Sequence, residues 1–212
     1  MNYLHSIDLE DWYSCYNLSL NGIRTSAKIV NAQFPKTDFM GDNPIIKEIT
    51  STPTPSGRIV LMHENEERRS VEVDFEKHRQ RKYKDKPSRL NSLWIAEDTP
   101  EGENMLLKMF TDENSHRKIL KVALLPDAII HKADKRWYEE YYQEKKESYI
   151  ENYWKGIPYD STPKWELLIN GGFKIEKEDI LFLREHCLAN HSQQLSKEFI
   201  ENAYKNNDLS KV

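Results

Sequence analysis

Lys164-Trp165-Glu166-Leu167-Leu168-Ile169-Asn170-Gly171-Gly172-Phe173-Lys174-Ile175 is the stretch whose reading decides the fold. Apolar runs flank an Asn-Gly-Gly turn, which supplies the positive φ angles a tight reversal needs, so the spacing predicts two strands joined as a hairpin. In the first arm Trp165, Leu167 and Ile169 share one face, while Glu166 shares the other with Leu168. A carboxylate in that setting lies either on the wet face of an antiparallel strand or half-buried for a chemical reason.

Working outward, Asp134 is positioned to cap a long helix running to about Lys155, with Gly156 as its stop. Trp137, Tyr138, Tyr141, Tyr142, Tyr149, Tyr153 and Trp154 fall mainly on one broad face of it, a stripe that reads as core, with a ligand-stacking wall as the sharper alternative. Pro158 and Pro163 bracket a loop into the hairpin. Beyond it, residues 178–204 carry Ile180, Leu181, Leu188, Leu195, Phe199 and Ile200 at helical spacing, giving a helical C-terminal segment over about 177–205.

Towards the N-terminus, residues 1–7 read as a first strand, with Tyr3, His5 and Ile7 on one face. A short helix and a turn follow over residues 10–30, since Asn17, Ser19 and Asn21-Gly22 interrupt a longer one. Residues 34–57, with Pro35, Pro44, Pro53 and Pro55, form an irregular loop region. Strands are predicted over 58–62, over the alternating Val71-Glu-Val-Asp-Phe75, over Leu90–Ala96 and over Lys118–Leu125. Asp98-Thr99-Pro100-Glu101 starts a helix that carries Met105, Leu106, Met109 and Phe110.

The pattern of short strands and helices describes one α+β domain over residues 1–212. Hydrophobic residues make up 38% and charged residues 31%, a globular composition with a well-solvated surface. The net charge of −4 gives no global attraction to nucleic acid or anionic membrane. Within Lys77–Arg89, however, seven Lys or Arg accompany a single Asp. That segment reads either as a solvated helix end or as a phosphate-contacting patch, with Arg79, Arg81 and Lys82 as its candidate acceptor-binding cations. Cys15 and Cys187 form neither a disulfide framework nor a metal pair, so a reducing compartment is expected. No basic-then-apolar leader and no run of ~18 apolar residues occurs, and the expectation is a cytoplasmic protein without a membrane partner.

Phosphate-cradling GxxxxGK[ST], GxGxxG, GxSxG and HExxH signatures are absent from the sequence. His186-Cys187 with His191 supplies no convincing fourth ligand, so no metal is assigned. What remains is an ordered set: Tyr3-Leu-His5, then Ser88-Arg-Leu-Asn-Ser-Leu-Trp-Ile-Ala-Glu97 leading into a capped helix, then Trp165-Glu166-Leu-Leu-Ile169. That order resembles the ADP-ribosyltransferase superfamily, in particular its small bacterial and phage-associated members.

The resemblance implies a split antiparallel β-sheet core with surrounding helices, and NAD bound as a substrate in a cleft. It implies that His5 holds the adenosine ribose and that Glu166 bonds the nicotinamide ribose as the catalytic carboxylate. The second motif position falls on Trp94 if its aromatic has been exchanged, or on Ser92 if it follows the serine of the Arg-Ser-Glu branch. Arg89 is a candidate for the pyrophosphate. Lys164 stands where protein-arginine-modifying members carry a second glutamate, which leaves the acceptor open.

The chemistry fits these residue types. Breaking the ribose–nicotinamide bond builds an oxocarbenium-like cation, which a fixed carboxylate stabilises as it forms. The expected activity is ADP-ribose transfer to a macromolecular acceptor, nucleic acid slightly favoured over protein, of the kind found in toxins and defence systems and sometimes held by a neutralising antitoxin. Two rivals keep the fold without the chemistry: a binding module that recognises nucleic acid or protein, and a partner protein that docks through its aromatic helix.

Overall fold

A computed structural model describes residues 3–26, 66–109, 116–190 and 196–206. In chain order the described elements are strand β1 (Tyr3–Asp8), helix α1 (Trp12–Asn21), β2 (Ile23–Thr25), α2 (Glu66–Lys82), β3 (Leu93–Glu97), α3 (Pro100–Met109), β4 (Arg117–Leu124), β5 (Ile129–Asp134), α4 (Arg136–Glu144), α5 (Glu147–Lys155), β6 (Trp165–Asn170), β7 (Gly172–Ile175), α6 (Lys177–Asn190) and α7 (Lys197–Asn206). Helices and antiparallel strands mix, and the fold is α+β.

The chain divides into two compact units, one of Met1–Arg24, Glu97–Leu125 and Phe173–Val212, the other of Thr25–Ala96 and Pro126–Gly172. In the first, the strand order is β2-β7-β4-β1, with β4 antiparallel to both β1 and β7. His5 stands opposite Leu120 in that ladder. Helix α1 ends at Gly22, whose φ of 73° places it in the left-handed region that glycine adopts without penalty. Thr99 starts α3 as its sequence suggests, accepting the Gly102 N–H on Oγ1 at 3.1 Å.

In the second unit the order is β3-β6-β5, with β6 central and antiparallel to both neighbours. Trp94 and His131 both stand opposite Leu168. Since alternate residues share a face, Trp94, His131, Ala133, Glu166 and Leu168 all lie on one side of this three-stranded sheet. Over that side a core forms from Val71 and Phe75 of α2, Tyr141 of α4, and Ile150, Tyr153 and Trp154 of α5 against Ala133 and Leu168. Phe75 is its hub, with ring contacts to Tyr138, Tyr141, Tyr153 and Trp154 at 5.1–6.4 Å.

Several expectations need correction. The Asn170-Gly171-Gly172 reversal exists, with Gly171 at φ 141°, but its arms do not form a hairpin: β6 pairs with β3 and β5, and β7 pairs with β4. A strand finds its partners by the length of buried face it can match, and these arms match other strands better than each other. Val71–Phe75 is helical, not a strand. Five residues of alternation fit either period, and the buried set Val71, Phe75, His78 and Arg79 follows the helical one. The long aromatic helix is two helices, broken at Lys145, which takes a left-handed φ of 54°. Gly156 ends the second at φ 72° as expected. Strand β5 has no counterpart in the sequence reading. The loop region 34–57 and the strand expected over 58–62 lie outside the described residues. Among the described residues no helix is long and apolar enough to cross a membrane.

Candidate functional site

Glu166 is the residue that the fold treats most unusually. It sits in the central strand β6 with only 1% of its surface exposed. Its Oε1 accepts from Arg89 Nη1 and from Tyr153 Oη, the latter at 2.5 Å. Its Oε2 is buried and accepts no hydrogen bond among the described residues. Leaving a buried acceptor unmade costs about 1–3 kcal/mol, and more when it carries charge.

Arg89 lies just before β3, after a turn in which Ser92 N–H and Asn91 N–H both point to the Ser88 carbonyl. Its guanidinium is buried and engaged on every edge. Glu72 of α2 takes Nε at 2.9 Å and Nη2 at 3.0 Å, while Nη1 reaches Tyr153 Oη at 2.6 Å as well as Glu166. The planar group is walled by aromatic rings, with centroids of Tyr138 at 4.3 Å, Trp94 at 4.6 Å, Tyr153 at 5.1 Å and Phe75 at 5.7 Å. Burial opposes the charge, but Glu72, Tyr153 and Glu166 outweigh it and hold Arg89 protonated well above its ordinary value. Burial, with Glu166 adding, raises the Tyr153 phenol well above its usual range, so it stays a neutral donor.

Three buried side-chain oxygens lack a hydrogen-bond partner among the described residues: Asn91 Oδ1, Ser92 Oγ and Glu166 Oε2. Two of the three belong to residues that the sequence reading selects. Buried polar atoms in folded proteins are nearly always paired, so an unpaired carboxylate oxygen such as Glu166 Oε2 marks a place where an incoming ligand can supply a donor.

The remaining selected residues have other surroundings. His5 belongs to the first unit, where it is buried, tilted against Phe173 at 4.9 Å, with its Nε2 3.4 Å from Arg24 Nη1. Arg24 in turn donates to Ser14 Oγ at 3.0 Å, and Ser14 donates to Asp11 at 2.6 Å. Trp94 stacks on Arg89. Arg79 is buried, not displayed: it pairs with Glu76 through Nε and Nη2 and donates to the carbonyls of Lys84 and Lys86, fastening the end of α2 to the following turn. Arg81 and Lys82 are exposed and lie at 3.5 and 3.8 Å from Glu147 of α5; Lys82 also meets Glu151 at 3.1 Å. The cationic surface is therefore partly neutralised by the neighbouring helix. No group of His, Cys, Asp or Glu among the described residues could hold a metal.

Glu72, Tyr138 and Tyr153 complete the cluster without having been singled out as site residues. Tyr138 and Tyr153 were legible only as members of an aromatic stripe. Glu72 was read as the polar half of a strand. The helical spacing of Glu72, Glu76 and Arg79 carries the missing signal, since it puts two carboxylates and a cation along one face of α2.

An α+β protein with a buried carboxylate, half satisfied and half open, is the class that fold and geometry define. Residues 17–181 match the family described as "Protein of unknown function (DUF2441)", and the chain belongs to that family. No curated protein matches the chain.

Proposed function

We propose that the protein is an NAD-dependent ADP-ribosyltransferase acting on a macromolecular acceptor, with Glu166 as its catalytic carboxylate. The observation that carries this reading is the buried Glu166 Oε2, which has no hydrogen-bond partner among the described residues.

In the reaction the bond from ribose C1′ to the nicotinamide nitrogen breaks, and nicotinamide leaves neutral with the bonding pair. The acceptor nucleophile forms the new bond to C1′ and gives up its proton. A carboxylate oxygen with free lone pairs can take a ribose hydroxyl and face the positive charge that develops at C1′. Trp94, at the aromatic wall, and Ser92 remain the two candidates for the second motif position. For Arg89 the pyrophosphate role is the less favoured one, because both its long edges are already given to carboxylates. Arg81 and Lys82, rather than the buried Arg79, are the cations that would meet a nucleic-acid acceptor.

One observation favours a second reading. Oε1 is neutralised by Arg89 and the whole carboxylate is enclosed, as in a binding module that keeps the fold without turnover. Incubating the purified protein with isotopically labelled NAD and cellular RNA, DNA or protein separates the two. Mass spectrometry is expected to find ADP-ribose on one acceptor class, with a loss of at least about 10²-fold in Glu166→Gln. Wild-type protein that releases no nicotinamide with any of the three, yet binds one of them, would instead establish the binding module.

A further inference from the structure

We infer that Arg89 and Tyr153 are positioning residues for Glu166, pinning Oε1 so that Oε2 faces the ligand; the inference rests on the transferase reading above and specifies how its carboxylate is aimed. The geometry of the ion pair is what argues for it. A guanidinium that only neutralises a buried carboxylate approaches side-on and uses two nitrogens for two oxygens, as Arg79 does for Glu76 with Nε to Oε2 at 3.0 Å and Nη2 to Oε1 at 2.6 Å. Arg89 gives that side-on edge to Glu72 and meets Glu166 end-on, through Nη1 alone.

Tyr153 then donates to the same oxygen, although Oε2 next to it has no partner among the described residues. Two donors converging on one oxygen set the rotation of the carboxylate plane and leave the lone pairs of the other, itself buried, directed and without a donor among the described residues. Both donors are themselves held. Arg89 lies between the Tyr138 and Trp94 rings, and the Tyr153 ring meets Phe75 and Trp154 edge-on, each at 5.1 Å. A fixed outer layer of this kind is what holds a reacting atom to sub-ångström tolerance. Displacing such an atom by about 1 Å costs on the order of 10²-fold in rate.

The experiment measures nicotinamide release, with the acceptor identified above, for full-length wild type, Tyr153→Phe, Arg89→Lys and Arg89→Ala. The expected result is a kcat about 10²-fold lower in Tyr153→Phe, with KM for NAD within about threefold, because the lost hydroxyl aims the carboxylate and does not touch NAD. Arg89→Lys keeps charge but not the fork and falls similarly, and millimolar guanidinium restores activity to Arg89→Ala. Tyr153→Phe is nearly isosteric, so it decides the matter if the Arg89 variants do not fold. An unchanged kcat in Tyr153→Phe, or a loss carried by KM alone, overturns the positioning role while leaving the transferase reading intact. A wild-type protein that consumes no NAD with any acceptor removes the reading and the inference together.

Discussion

Glu76 and Glu166 are two buried glutamates in the same unit, each paired with an arginine, and the structure satisfies them in opposite ways. Glu76 takes Arg79 and Gln80 on Oε1 and Arg79 and Ser88 on Oε2, so both oxygens are filled. Glu166 takes two donors on Oε1 and, among the described residues, none on Oε2. Asp134, fully buried on β5, follows the first pattern: the N–H groups of Arg136, Tyr159 and Lys164 and the Arg136 side chain occupy its two oxygens. The difference separates carboxylates that fasten the fold from one that the fold holds ready. A charge kept for stability alone is fully hydrogen-bonded, since the desolvation penalty is recovered in no other way.

The largest expected effect breaks or keeps that distinction directly. Glu76→Gln leaves Arg79 buried without its anion and is expected to cost about 3 kcal/mol in denaturant unfolding. Glu166→Gln leaves Arg89 held along its Nε–Nη2 edge by Glu72 and is expected to change stability by less than about 1 kcal/mol, the behaviour of a site residue that stability does not need. Equal losses from both substitutions would erase the comparison.

Acid unfolding sharpens it further. Burial, with Lys86 next, pushes His131 down to about 4, so the ring is neutral in the folded protein. Its Nε2 lies 3.2 Å from the Tyr153 carbonyl, behind the site. The unfolded chain binds the extra proton from about pH 6.5 downwards, so stability is complete above that value and declines as pH falls towards 4, by roughly 3 kcal/mol. His131→Gln is expected to flatten that part of a pH series of melts. A slope that survives the substitution assigns the proton to another group of the cluster. Further loss at lower pH comes from carboxylates held below their usual range, Asp134, Glu151 and Glu76 among them. Burial raises the Glu76 carboxyl, but Arg79 and Ser88 outweigh this and hold it below the usual range, so its contribution is present above the unfolded value and is lost as pH falls through the folded one.

Ser88→Ala removes one of the four donors to Glu76 and should cost about 1 kcal/mol by urea unfolding. The smallest effect is at the surface. Lys82→Ala, exposed opposite Glu147 and Glu151, should change stability by less than about 0.5 kcal/mol, while lowering the salt sensitivity of any nucleic-acid binding.

Much of the helical content was legible because its signals are local. Thr99 and Pro100 start α3, Gly22 and Gly156 stop α1 and α5, and the aromatic stripe is indeed core. The errors fall where two readings share one local pattern. Val71–Phe75 alternates over five residues, which both periods allow, and Asn170-Gly171-Gly172 turns the chain equally well whether or not its arms pair. Lys145 ends α4 through a left-handed residue that composition does not announce. For the site, the identities of Glu166, Ser92, Trp94 and Arg89 stood out, but their relations did not. Arg89 read as a phosphate ligand because a cation near a strand end looks the same from sequence whether its counter-charge is a ligand or Glu72, seventeen positions earlier.

By itself the sequence determined the α+β class, the helix boundaries with strong caps, the burial of the aromatic stripe and the chemical oddity of Glu166, since each depends on residues within a few positions of one another. Tertiary structure alone decided that β6 lies between β3 and β5, that Arg79 serves Glu76, and that Arg89 and Tyr153 converge on one oxygen of Glu166 while the other stays open. Those outcomes depend on which distant side chains meet under burial, where the cost of an unpaired charge selects among contacts that no local pattern distinguishes.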